Sequence, residues 1–142
     1  MRTKNVKKTS RLSRLKDTGR FAIGVDVENI SRFKEMDTPS FSAFLRKIFT
    51  SKELEYCFSK KNSSQHLAVR FAGKEAVIKI LRGLGERYLK NPVGYSQIEI
   101  LNDKNGAPFP RITLPKYKDL NIIISFSHSK EIAIAFAVMI DI

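Results

Sequence analysis

Cysteine occurs once in the 142 residues, at Cys57, so no intrachain disulfide can form. Between Tyr56 and Phe58 that thiol reads as a buried apolar filler rather than a nucleophile. The first twenty residues lack the apolar segment of a secretory signal. Long hydrophobic runs are missing too: the longest, residues 132–140, is far too short to cross a bilayer as a helix. There is no internal repeat and no linker rich in proline or glycine. The expectation is therefore one domain with a core large enough to need neither disulfides nor a structural metal. A reducing cytoplasm is the simplest home, with no membrane partner.

Acidic residues are scarce: 14 against 26 basic ones, a formal charge of +12. The excess is uneven. Residues 1–20 hold eight basic side chains and one acid, Asp17, for +7, whereas the rest carries 18 basic and 13 acidic residues, for +5. A basic protein attracts phosphates or acidic protein surfaces. Residues 1–20 read as a basic, solvated N-terminal extension; their composition would also suit an organelle transit peptide. They hold no aromatic residue on which a base could stack. Nucleic acid is thus not an expected partner, although a basic RNA-binding module is the rival class of reading.

The domain is expected over residues 21–142. Phe21, Ile23, Val25 and Val27 alternate with Ala22, Gly24, Asp26 and Glu28, the period of a strand, with Asp26 opposite the apolar row. A short helix is expected over residues 30–36 and another over 40–49. Thr50 or Ser51 caps a third, with Glu53 and Glu55 in its first turn. The longest helix runs over about residues 64–82, capped by Ser63 or Ser64 and ended by Gly83. Apolar residues cover most of its circumference, so it should be largely buried; Arg70, Lys74, Glu75, Lys79 and Arg82 are the polar exceptions. A loop opens at Gly83, and a strand over 95–101 leads into an Asn102–Gly106 turn. Strands over 121–126 and 131–140 flank the turn that holds His128. Strands and helices mix without a βαβ rhythm, which predicts an α+β fold with a small antiparallel sheet and a long central helix.

Singly, the polar residues read as ordinary surface groups: Asp26 on the outer face of an edge strand, Glu75 and Lys79 as an i,i+4 ion pair, His128 as an exposed turn histidine. The greasy helix weakens the second reading, because a buried carboxylate needs a partner or a metal. Together and in order they form a pattern. Gly24-Val25-Asp26 is followed by Arg32. The helix reads Arg70-Phe71-Ala72-Gly73-Lys74-Glu75-Ala76-Val77-Ile78-Lys79. The last segment is Ser125-Phe126-Ser127-His128-Ser129-Lys130-Glu131. Over about residues 21–139 the chain resembles the holo-acyl-carrier-protein synthases, the small trimeric class of 4′-phosphopantetheinyl transferases. It departs from them at Gly73, where the family often has Ala, and in the extra residues before Phe21.

The resemblance implies transfer of phosphopantetheine from coenzyme A to a serine of an acidic acyl carrier protein. It implies magnesium, or manganese in its place, at Asp26 and Glu75, with Glu75, Lys79 and His128 catalytic. Arg70, Lys74, Gly83, Gly85, Asn105, Gly106, Pro108 and His128 would bind coenzyme A. Arg32, Lys34, Arg46 and Lys47 would dock the carrier. A homotrimer is implied, with the site between subunits. A fatty-acid, polyketide or peptide-synthesis carrier would serve equally, and a homologue that binds without catalysing is the remaining alternative.

Overall fold

A computed structural model of the chain describes residues 20–36 and 38–141. The basic extension expected over residues 1–20 lies outside them except for Arg20, where the first strand begins.

Strand β1 (Arg20–Asn29) is followed by a 3-10 turn (Ile30–Phe33) and, after a second one (Pro39–Phe41), by α1 (Ser42–Ile48). Helix α2 (Ser51–Phe58) starts at a capping box: the Thr50 side chain accepts from Glu53 N–H, and the Glu53 carboxylate takes the Thr50 N–H at 2.8 Å. Helix α3 (Ser63–Arg82) is the longest element, and Gly83 is its C-cap. Its N-cap is Asn62, not a serine, and makes no side-chain capping bond. A short helix α4 (Glu86–Leu89) occupies the expected loop. A hairpin of β2 (Ile98–Asn102) and β3 (Pro108–Ile112) turns at Gly106, whose φ of 85° suits glycine. The chain ends in β4 (Ile122–His128) and β5 (Ile132–Asp141).

There are thus two antiparallel sheets rather than one, in the orders β1-β5-β4 and β2-β3. The three-stranded sheet lies against α3. Its covered face is built of small residues: Gly24 from β1 and Ala133, Ala135 and Ala137 from β5, all buried. Small side chains let helix and sheet approach closely, and the larger apolar groups of α3 fill the space between. At Gly24 the approach is closest, where an added Cβ would stand 1.9 Å from the Ala76 carbonyl oxygen. Gly73 is explained likewise: a Cβ there would meet the Phe126 ring at 2.9 Å, too close without repacking.

The opposite face of the same sheet is bulky and open. Phe21, Ile23, Val25 and Val27 of β1 are 50%, 68%, 51% and 55% exposed. Beside them lie Ile134 and Phe136 of β5 and Ile123 of β4, also exposed. The strand period is as the sequence predicts, but the default assignment of faces is reversed. The apolar row points outward, and the row containing Asp26 packs on α3.

Candidate active site

The close crossing of β1 over α3 creates the site. Asp26 and Glu28 follow Gly24 on the inner row of β1, while Glu75 and Lys79 flank Ala76 on α3. Lys79 turns to β1 rather than to Glu75. Its Nζ donates to Asp26 Oδ1 at 3.0 Å and to the Val25 carbonyl at 2.6 Å. Asp26 Oδ2 is buried and, among the described residues, faces no N–H or hydroxyl donor, only the neighbouring Glu28 carboxyl. Such an orphaned acceptor costs about 1–3 kcal/mol. Glu28 crowds the same place: burial pushes its carboxyl above the usual range, Arg32 at 3.0 Å opposes this, and Asp26 adds to it.

Glu75 is half-buried and accepts a hydrogen bond from the Tyr95 hydroxyl. That bond, then burial, then the Glu75 charge push the phenol up to about 12, so it remains a donor at neutral pH. The Tyr95 ring packs on Phe71 with centroids 5.3 Å apart. Among the described residues, no three His, Cys, Asp or Glu side chains gather into a cage for a metal ion. Two carboxylates on packed elements, one with an unanswered buried oxygen, fit instead a hard cation that completes its shell with ligand and water oxygens.

Two expected ligand-binding residues are corrected. Lys74 is 0% exposed, and its ammonium donates to Glu53 Oε2 at 2.8 Å, to the Tyr95 carbonyl at 2.9 Å and to the Ile98 carbonyl. All three protons are used and nothing remains for a phosphate. Arg70, 2% exposed, lies over the Tyr56 ring and donates to Asn102 Oδ1 and the His66 carbonyl. Its Nε stays buried without a partner among the described residues, but its two other nitrogens make it a strut: Asn102 in turn donates to the Gly106 carbonyl, so Arg70 steadies the hairpin that carries Asn105, Gly106 and Pro108.

His128 sits apart from the carboxylates, at the end of β4, exposed and 2.8 Å from the side chain of Gln65 in the first turn of α3. Ten residues of helix separate Gln65 from Glu75, roughly 15 Å. Gly83 and Gly85 lie beyond the other end of α3, roughly 20 Å from Arg70 and its hairpin. One chain does not bring these two glycine loops around a common point. Arg32 lies beside the site, paired with Glu28 and with its guanidinium 5.1 Å from the Phe71 ring centroid. Lys34, Arg46 and Lys47 are exposed. They neighbour an open groove of about 430 Å³ lined by Met36, Leu45, Arg46, Leu54 and Phe58 among others.

Four residues of these networks carry no role in the sequence reading: Tyr95, Glu28, Gln65 and Glu53. Glu53 is legible as a helix-start acid and as part of the Phe49-Thr50 match to the family pattern, without a role. Tyr95 carries no motif at all; only folding brings it within reach of Glu75, 20 residues earlier.

The sequence profile of the 4′-phosphopantetheinyl transferase superfamily matches residues 22–137. A holo-[acyl-carrier-protein] synthase of Geotalea daltonii is 39% identical over 126 residues, covering 84% of this chain and 97% of its own. Another from Thermodesulfovibrio yellowstonii is 40% identical over 117 residues, covering 82% and 96%. The structure of a holo-(acyl-carrier-protein) synthase from Bacillus anthracis in complex with CoA (3′,5′-ADP) superposes with a TM-score of 0.66 at 28% identity, covering 84% of this chain and 96% of that one. For the Helicobacter pylori synthase in complex with coenzyme A the TM-score is 0.67 at 28% identity, with 83% and 99% covered. A match of this breadth includes both elements of the β1–α3 crossing, and the chain belongs to the 4′-phosphopantetheinyl transferase superfamily.

Proposed function

We infer that the protein is a holo-acyl-carrier-protein synthase: it transfers the 4′-phosphopantetheine group from coenzyme A to a serine of an apo acyl carrier protein, leaving adenosine 3′,5′-bisphosphate. The observation that carries the reading is the convergence of Asp26, Glu75 and Lys79, the motif residues, on one crossing of strand and helix. In the reaction the serine oxygen bonds to the β-phosphorus of coenzyme A. The bond from that phosphorus to the bridging oxygen breaks, and its electron pair leaves with the bisphosphate. Such a step needs positioning and charge compensation more than covalent help. Glu75 receives the serine proton, directly or through a water. Lys79, with 44% of its side chain exposed, compensates charge on the departing phosphate. Asp26 and Glu75 would hold magnesium, or manganese in its place, and the bound ion would supply charge compensation at the pyrophosphate.

The remaining parts of the reading concern partners. The acidic carrier docks beside the groove at Lys34, Arg46 and Lys47, with Arg32 between groove and site. The open apolar face of the three-stranded sheet is the surface on which copies of the chain meet as a homotrimer. Association would bring a neighbour's loops beside the carboxylates, and the separation of Gly83 and Gly85 from the Asn105–Gly106 hairpin is consistent with a ligand site shared between copies. The proposed setting is the cytoplasm; no helix among the described residues is long and apolar enough to cross a membrane.

The test is mass spectrometry of apo carrier proteins incubated with coenzyme A and this protein, with magnesium or with chelator. Gain of one phosphopantetheine, lost with chelator, supports the reading. No gain on fatty-acid, polyketide and peptide-synthesis carriers that a control transferase modifies would overturn it. Sedimentation of the same sample should give three chains per particle.

A further inference from the structure

Tyr95 joins the two polar clusters of α3 at its two ends. Its carbonyl accepts from the buried Lys74 ammonium at 2.9 Å, and its hydroxyl donates to Glu75 Oε1. Lys74 is fixed in turn by Glu53 and by the Ile98 carbonyl. Tyr95 begins the 3-10 turn Tyr95–Gln97, its ring backed by Phe71. The residue that orients Glu75 is thus itself anchored at main chain and ring. Among the described residues, Tyr95 is the one hydrogen-bond partner of the Glu75 carboxylate: Lys79, four residues on, is turned to Asp26. A half-buried glutamate with three rotatable bonds would otherwise sample several positions.

We propose that Tyr95 is the positioning residue of this site, its hydroxyl pinning one Glu75 oxygen so that the other is held toward Asp26 for the cation and the incoming serine. The proposal rests on the transferase reading for its activity arm only. Groups that orient a ligating carboxylate typically contribute 10–100-fold to metal affinity or to activity. The hydroxyl is committed to Glu75, so its removal should alter turnover and cation affinity and leave substrate binding alone.

The test is Tyr95→Phe, which deletes one oxygen and keeps the ring on Phe71. Three quantities are read on the full chain: the affinity for manganese alone, by electron paramagnetic resonance of the free ion; kcat and KM for coenzyme A; and the thermal midpoint. The expected result is manganese affinity and kcat each reduced about tenfold, with KM and midpoint close to wild type. Unchanged manganese affinity and kcat would overturn the proposal. So would a fall in kcat accompanied by a lower midpoint and unchanged manganese affinity, which marks a purely structural role. Should the wild-type chain fail to modify any carrier, the transferase reading falls, and the manganese arm still judges Tyr95.

Discussion

Lys74 and Glu75 leave α3 about 100° apart around its axis, and they enter opposite kinds of polar environment. Around Lys74 every group is answered. Glu53 accepts from Lys74, from Thr50 N–H and from Ile100 N–H, and Thr50 donates to Glu99, which also pairs with Arg111. The cluster ties the start of α2, the middle of α3 and the small hairpin together. Around Glu75 the accounting is left open. Asp26 keeps an orphaned oxygen, Glu28 is forced beside it, and Lys79 remains partly in solvent. A closed network stabilises a fold, whereas an open one holds capacity for a ligand. Adjacent residues on one helix thus divide the work, and substitutions should separate them.

Lys74→Met breaks the closed side. It fills a similar volume but leaves the Glu53 carboxylate and two carbonyls without their donor. Breaking a buried pair from one side typically costs about 3–5 kcal/mol, which lowers the thermal midpoint by roughly 10 °C or more. A midpoint within a degree or two of wild type would mean that the cluster is not the strut described. Glu75→Gln breaks the open side and should do the reverse. The amide keeps the size and can still accept from Tyr95, so the midpoint should hardly move. Carrier modification should fall by about a hundredfold or more, the usual scale for a general base. Wild-type turnover in that variant would remove Glu75 from both its proposed roles.

The same contrast explains what the sequence could reveal. The period of β1 and the length and greasiness of α3 are local properties, and residue order reports them. Which face of β1 is buried is not local. Phe21, Ile23, Val25 and Val27 are the larger apolar groups, but the tight approach of α3 admits only the small row at Gly24. The rule that large apolar residues go inside yields here to the close approach of the helix, which has room only for the small row and leaves the bulky one exposed. The motif contains both Lys74 and Glu75, and residue order alone does not separate them. Nothing local says that a carboxylate 21 residues earlier has claimed the lysine. Strand β3 is not legible in the sequence because Pro108 and Pro110 interrupt it, and an isolated hairpin tolerates them where a central strand would not.

The closed side also predicts a pH response. For Glu99, burial raises the carboxyl, but hydrogen bonds from Thr50 and Arg111 together with the Arg111 charge outweigh it, and the net shift is downward. A folded-state value below the unfolded one stabilises the fold above the unfolded value of about 4.5 and loses that contribution as pH falls through the lower, folded one. Glu99→Gln should therefore flatten part of the acid limb of stability, measured by denaturant unfolding between about pH 3 and 7, and lower stability near neutrality. An unchanged acid limb would show that Thr50 and Arg111 do not hold the charge in solution.

The smallest effect is expected where neither kind of network exists. Arg46 and Lys47 stand exposed in the last turn of α1, with no ion pair to an acidic side chain among the described residues. Replacing both by Ala should leave stability within about 0.5 kcal/mol. If this surface docks an acidic carrier, the KM for the carrier should rise several-fold, most strongly at low salt, while kcat and the KM for coenzyme A stay put. Charges on a rim act on encounter rate, and salt screens them over about 10 Å at 0.1 M. A rise in KM independent of salt would point to lost packing along the Leu45–Phe58 groove rather than to charge. No rise at all would move the docking surface elsewhere and leave Arg32, beside Glu28 and Phe71, as the nearer candidate.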